Sequence, residues 1–153
     1  MKRVLLTGMS GTGKSSVVDE LIARGYKAVD TDYGFCEVKP DGRQRWREDA
    51  IEKLLTTEDA DVLFVAGCEE NQGTFHPRFD HIVLLSAPLG TMVERLETRT
   101  NNPYGKSRVE FDRFLEDVEN VEPLLRRAAD HEVRTDAPLD DVVATILRLV
   151  DVE

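Results

Sequence analysis

The chain has 153 residues, about the length of one domain and enough to bury a core, and its 41% hydrophobic content is ordinary for a globular protein. A net charge of −10 argues against a general nucleic-acid or anionic-membrane surface, because neutralising phosphates takes a basic face. No apolar run approaches the roughly 20 residues that span a bilayer, and MKRVLLTGMSG holds only a short apolar run before its glycines, so neither a membrane span nor a secretory signal is expected.

In chain order, short apolar runs alternate with helical patterns, the signature of βα units and a parallel sheet. Residues 3–7 (RVLLT) read as a buried first strand. A helix over 14–24 follows, with Val17, Val18, Leu21 and Ile22 on one face and Gly25 as its stop. Residues 27–30 (KAVD) form a short second strand. Residues 33–60 are polar, carry Trp46, and contain a helix over roughly 45–56. Residues 61–66 (DVLFVA) and 81–86 (HIVLLS) give the third and fourth strands. Leu89, Met92, Val93 and Leu96 then mark a helix with Pro88 near its first turn. Residues 99–108 (RTNNPYGKSR) are a loop, on the strength of Asn-Pro and a glycine.

Ser107 and Glu110 have capping-box spacing ahead of Phe111, Phe114, Leu115, Val118 and Val121, and Pro123 should end or kink that helix. Residues 131–134 are a weak fifth strand. Asp136 is placed to cap a last helix that turns Leu139, Val142, Val143, Ile146, Leu147 and Val150 inward. No repeat, low-complexity tract or linker interrupts the chain, so residues 1–153 read as a single α/β domain. Cys36 and Cys68 lack CxxC spacing and read as reduced thiols of a cytoplasmic protein, and His76, His81 and His131 show no metal-ligand spacing.

The stretch GMSGTGKS, from Gly8 to Ser15, is the P-loop pattern, set after a strand and before a helix. Chance produces it in roughly 0.5% of chains of this length. Glycines let successive backbone N–H groups curl inward as an anion nest, and the helix entered near Lys14 adds its positive end. Lys14 supplies a full charge to the β- and γ-phosphates of a nucleotide, and the Ser15 hydroxyl suits Mg2+, which takes hard oxygen donors. Gly8, Ser10, Gly11, Thr12, Gly13, Lys14, Ser15 and Ser16 are therefore the candidate nucleotide-binding residues.

With those residues in view, the chain resembles the small P-loop kinases of the shikimate kinase, gluconate kinase and adenylate kinase type. The likeness covers nearly the whole chain in its order of elements. It is specific at GMSGTGKS, at Asp30-Thr31-Asp32, and at the arginine-bearing loop 99–108. It implies a P-loop NTPase fold: a five-stranded parallel sheet of order 2-3-1-4-5 with helices on both faces. It also implies ATP and Mg2+ and a lid over 99–108 that closes on substrate.

Carried over from the family, Asp32 orients the acceptor hydroxyl and takes its proton, and Asp30 helps on the metal side beside Ser15. Turn chemistry at a strand end is the alternative for both aspartates. Arg99 falls where the family sets an arginine over the nucleotide, within a run of charge that includes Arg95, Lys106 and Arg108. Thr135, Asp136, Ala137 and Pro138 fall where relatives bracket adenine. Arg43, Arg45, Trp46 and Arg47 lie in the substrate-binding segment 33–60; a solvated arginine face and a core tryptophan are the plainer reading.

The Gly67–Gly73 loop departs from shikimate kinase at Cys68, Glu69 and Glu70, and the third strand ends in Gly67 with no Walker B aspartate. NKxD is absent, and so is a DxxG after the third strand, which disfavours a GTPase. The expectation is an ATP-dependent kinase acting on a hydroxyl of a small molecule, monomeric or homodimeric, with no nucleic-acid or membrane partner. A nucleoside or nucleotide kinase and a non-catalytic ATP-binding module are the alternatives.

Overall fold

A computed structural model describes residues 1–99 and 104–152. Its central sheet is built from strands whose residues alternate between two buried faces. In β1 (Lys2–Thr7), Val4 and Leu6 face one way and Leu5 the other. In β5 (Val62–Ala66), Phe64 and Ala66 share the first face, Leu63 and Val65 the second. In β6 (His81–Ser86), Val83 and Leu85 oppose Ile82 and Leu84. Burial on both faces is what makes these runs continuously apolar.

With β2 (Lys27–Asp30) and β7 (His131–Arg134) the five parallel strands lie in the order β2-β5-β1-β6-β7. Counting only the strands of this sheet, that is the expected 2-3-1-4-5. Helices α1 (Lys14–Ala23) and α6 (Leu139–Leu149) cover the first face through Val17, Val18, Leu21, Val142, Val143 and Ile146. The second face is covered by α2 (Glu48–Thr56), a 3-10 helix (Gln72–Arg78), α3 (Leu89–Thr98), α4 (Arg108–Asn120) and α5 (Glu122–Ala128). Among the described residues no helix is long and apolar enough to cross a membrane.

Several expectations are corrected. The helix expected over 45–56 starts at Glu48, because residues 36–46 form a hairpin of β3 (Cys36–Val38) and β4 (Gln44–Trp46). Asp41-Gly42 supplies the turn: Gly42 has φ 85, and the Gly42 N–H donates to the Lys39 carbonyl at 2.9 Å. Trp46 is wholly buried under the second face, so the core reading of that residue holds. Asp136 does not cap α6; it accepts from Arg134, and Pro138 opens the helix by accepting from the Asp141 and Val142 N–H groups. As expected, α4 stops at Asn120 ahead of Pro123, which lies in the first turn of α5. Ile22 faces solvent, 52% exposed.

Parallel register aligns the strand ends. Asp30 pairs with Ala66, and Ala66 with Leu6. The chain therefore leaves β1 at Gly8, β2 at Thr31 and β5 at Gly67 along one edge, where open α/β sheets present their ligand crevice.

Candidate functional site

The loop leaving β1 is shaped by glycine. Gly8 has φ 156, and a Cβ there would stand 2.4 Å from the Leu85 carbonyl oxygen. Gly11 has φ 84, and its Cβ would meet the Met92 carbonyl at 2.7 Å. Any side chain at either position would push the loop off the sheet and off α3. Gly13, left-handed, delivers the chain into α1, whose first turn holds no acid and no side-chain cap. Its leading N–H groups have no partner inside the helix and carry its positive end. The Lys14 ammonium curls back to donate to the carbonyls of Gly8 at 2.6 Å and Met9 at 3.0 Å. The Ser15 hydroxyl donates to Asp30 Oδ2 at 2.7 Å, and Asp30 Oδ1 accepts from the Asp32 N–H at 3.1 Å.

Two cavities flank this loop. One, of about 400 Å³, runs along Ser10, Gly11, Gly13, Lys14, Ser15 and Ser16 to Arg95, Arg99, Thr135, Ala137 and Leu139. The other, of about 780 Å³, lies between the loop, the Gly67–Gly73 segment, the hairpin turn and the α4–α5 corner. Ser10, Lys14 and Asp32 line both, so the cavities meet at those three side chains.

Charge at the meeting point is mixed. Asp32 is open to solvent through the cavities yet crowded by protein. Burial, and then the neighbouring Asp30, raises its carboxyl above the usual aspartate range, opposed by Lys14 and Arg99. Burial lowers the Arg99 pKa from the ordinary arginine value; its guanidinium donates to the Tyr104 carbonyl at 2.7 Å. In the larger cavity burial, followed by Asp32, pushes the Glu69 carboxyl up to about 7. The Cys36 thiol, which donates to the Thr31 carbonyl at 3.2 Å, is raised by burial and by Glu69.

Of the residues singled out in the sequence, Ser10, Gly11, Gly13, Lys14, Ser15, Ser16, Asp32 and Arg99 line the smaller cavity. Gly8 lines the larger one. Asp30 lines neither and reaches the loop through Ser15. Thr12 lines neither cavity: it is fully buried, and both its hydroxyl and its N–H donate to the Met9 carbonyl, closing the loop on itself. Ala137 and Leu139 line the smaller cavity, while Pro138 between them serves as the α6 cap. Arg43 lines the larger cavity but pairs with Asp117, and Arg45 pairs with Glu37 across the hairpin. Of the expected lid over 99–108, residues 100–103 lie outside the described residues; Tyr104 lines the larger cavity.

Three contributors were named in the sequence without a role of their own. Arg95 donates to the Gly11 carbonyl, to Thr135 Oγ1 and to the Thr135 carbonyl, tying the loop to the β7–α6 connection. Its signal was the spacing from Arg99, one helical turn along α3. Glu69 and the buried Gln72 gave no motif. The Glu69 N–H donates to Gln72 Oε1 at 3.0 Å, and Gln72 Nε2 donates to Thr7 Oγ1 at 3.2 Å, so the segment after β5 is pinned to the end of β1.

Residues 4–123 match the family model described as an AAA domain. No curated protein matches the chain. Among solved structures the chain is similar to shikimate kinase from Acinetobacter baumannii in complex with shikimate. The TM-score is 0.73 at 19% identity, covering 98% of this chain and 93% of that one. Shikimate kinase from Bacteroides thetaiotaomicron aligns with a TM-score of 0.70 at 18% identity over 99% of both chains. A gluconokinase from Sinorhizobium meliloti aligns with a TM-score of 0.64 at 21% identity, over 98% of this chain and 94% of that one. At such identities the likeness establishes the α/β fold they share.

Proposed function

The chain belongs to the AAA domain family, and on that premise we propose that it is an ATP-dependent phosphotransferase that moves the γ-phosphoryl group to a hydroxyl of a small molecule. The meeting of two cavities at Ser10, Lys14 and Asp32 carries the reading. A phosphoryl group passing from one side to the other needs a cation and a carboxylate at that junction.

The residues fit the groups they would hold. Gly8 and Gly11 let the loop lie close against the sheet and α3, and the open N–H groups of α1 would face phosphate oxygens there. Lys14 exchanges the Gly8 and Met9 carbonyls for the β- and γ-phosphates. Ser15 and Asp30 pair a hydroxyl with a carboxylate, the hard-oxygen set that suits Mg2+, Ser15 as ligand and Asp30 through the ion's water. When bound, Mg2+ neutralises charge on the phosphate oxygens. Arg99 and Arg95 add positive charge along the nucleotide cavity, where charge on the transferred group must be stabilised. Asp32 orients the acceptor hydroxyl and accepts its proton; a carboxyl raised above the usual range is the better base for that task.

A nucleotide acceptor is less favoured. Of the three arginines that could have met its phosphate, Arg43 and Arg45 are paired with Asp117 and Glu37, and Arg47 lines neither cavity. The shikimate held by the Acinetobacter baumannii enzyme makes a cyclic hydroxy compound one acceptor to try. Asp32→Asn tests the reading. ADP release with a panel of hydroxylated metabolites should fall by about 10²- to 10⁴-fold while ATP affinity by calorimetry is kept. A variant that transfers at the full rate would overturn the role of Asp32. ATP binding without transfer to any hydroxyl compound would favour a non-catalytic ATP-binding module.

A further inference from the structure

Resting on the phosphotransferase reading, the charges of the larger cavity narrow the acceptor. Asp32, Glu69, Glu70, Glu110 and Asp117 line it against the permanent cations Lys14, Arg43 and Arg113. Most of these are answered within the chain. Arg43 pairs with Asp117 at 3.6 Å, and Glu70 with Lys39 at 2.8 Å. Glu110 accepts from Ser107 within the capping box of α4, and Arg113 donates to the Asp41 carbonyl. Lys14 belongs to the loop and, in this reading, to phosphate. Among the described residues Asp32 and Glu69 take part in no ion pair.

Their carboxylate oxygens and the Cys36 sulfur all lie within 4.8 Å of one another, close enough for neighbouring groups of one small molecule to reach both acids. Glu69 is held in place: its N–H donates to Gln72 Oε1, and its carboxylate lies 3.6 Å from the Cys36 sulfur. We propose that the acceptor is an alcohol bearing a protonated amine, its hydroxyl set against Asp32 and its ammonium against Glu69.

An ammonium carries three donors and a full charge, which two crowded carboxylates that form no ion pair among the described residues accept. An acid in the same place would add a third negative charge to a confined group. The Glu69 carboxyl is raised to about 7 by burial and then by Asp32, even with Lys14 opposing. The Cys36 thiol beside them has its pKa raised by burial and then by Glu69. Beyond the acids, Phe114, Val121, Leu124 and Leu125 leave an apolar wall for the body of the molecule.

Calorimetry on the intact protein, without nucleotide, tests this with two shape-matched sets. The first is phenylethanolamine, styrene glycol and mandelate; the second is glucamine, sorbitol and gluconate. In at least one set the amine should bind at least about tenfold more tightly than the acid, with the neutral compound between. Glu69→Gln should erase that preference, and Glu69→Asp should keep part of it. An acid equal to or tighter than the amine in both sets overturns the inference. So do a preference unchanged in Glu69→Gln and no binding by any of the six compounds. The titration needs neither ATP nor turnover, so it succeeds or fails separately from the phosphotransferase reading, which ADP release decides.

Discussion

The cradle beside α1 and the cavity beyond it are made in different ways. The cradle comes from one contiguous stretch, Gly8 to Ser15, and its working surface is backbone. The larger cavity draws on the hairpin turn, the segment after β5, and residues as distant as Leu125 and Ala128 of α5, and its surface is side chain. A backbone-built site is dictated by where glycine is permitted, so local spacing announces it. A side-chain-built site depends on packing between segments that share no local pattern. The same split suggests that phosphate binding and acceptor binding can be damaged separately, and substitutions can break or sharpen that division.

The largest effect is expected at Lys14. Removing the one ammonium at the junction of the cavities should cost about 10²- to 10³-fold in turnover and weaken triphosphate binding. Lys14→Ala should leave folding nearly intact, since the lysine is only partly buried and bonds two loop carbonyls rather than the core. ADP release, ATP calorimetry and a melting curve on one preparation check all three. Unchanged ATP affinity with full activity would remove the cradle from the argument.

The three central strands β1, β5 and β6 were legible because each is a short apolar run whose alternate residues feed two faces, while β2 and β7, at the sheet edges, gave weaker patterns. The capping box was legible too: Ser107 Oγ accepts from the Glu110 N–H at 3.2 Å, as the spacing required. The β3–β4 hairpin was not, because strands of three residues carry too little periodicity to outweigh a helical pattern beside them. Arg95 was visible only as one more cation. Its use depends on α3 packing against a loop far back in the chain and against Thr135, contacts that no local pattern encodes. Glu69 stood out only as a departure from a resemblance. Its position follows from Gln72, three residues on, and from Cys36, which becomes its neighbour only when β5 lies beside β2.

Next in size come two substitutions beneath the acceptor side. A Cβ on Gly67 would fall 2.3 Å from Thr31 Oγ1 and 3.1 Å from Trp46 Nε1. Gly67→Ala should therefore cost about 1–3 kcal/mol by overpacking. Trp46→Phe removes the indole N–H bond to Thr31 Oγ1, 2.9 Å long and buried, and should cost about 1–2 kcal/mol. Urea unfolding gives both values. Each variant should raise the KM for the acceptor while leaving ATP affinity alone. A parallel loss of ATP affinity would show that the two regions are coupled through Thr31 and β2.

The smallest effect is a pH dependence of stability that Glu69 should impose. Its carboxyl titrates near 7 in the folded chain, against 4.5 for an ordinary glutamate. Between those values the folded protein holds a proton that the unfolded chain has released, so stability falls as pH rises through the window. Below it both states are protonated, and above it both are ionised, so the penalty is absent on the acid side and constant on the alkaline side. Glu69→Gln cannot titrate. It should gain on the parent chain between about pH 5 and about pH 8, by on the order of 1 kcal/mol. Paired urea melts at the two pH values measure this as a difference of differences, which cancels every other titrating group. A parent and variant with parallel pH profiles would mean that the Glu69 carboxylate is already neutralised in solution. The acceptor cavity would then carry no unmet charge to set it apart from the cradle.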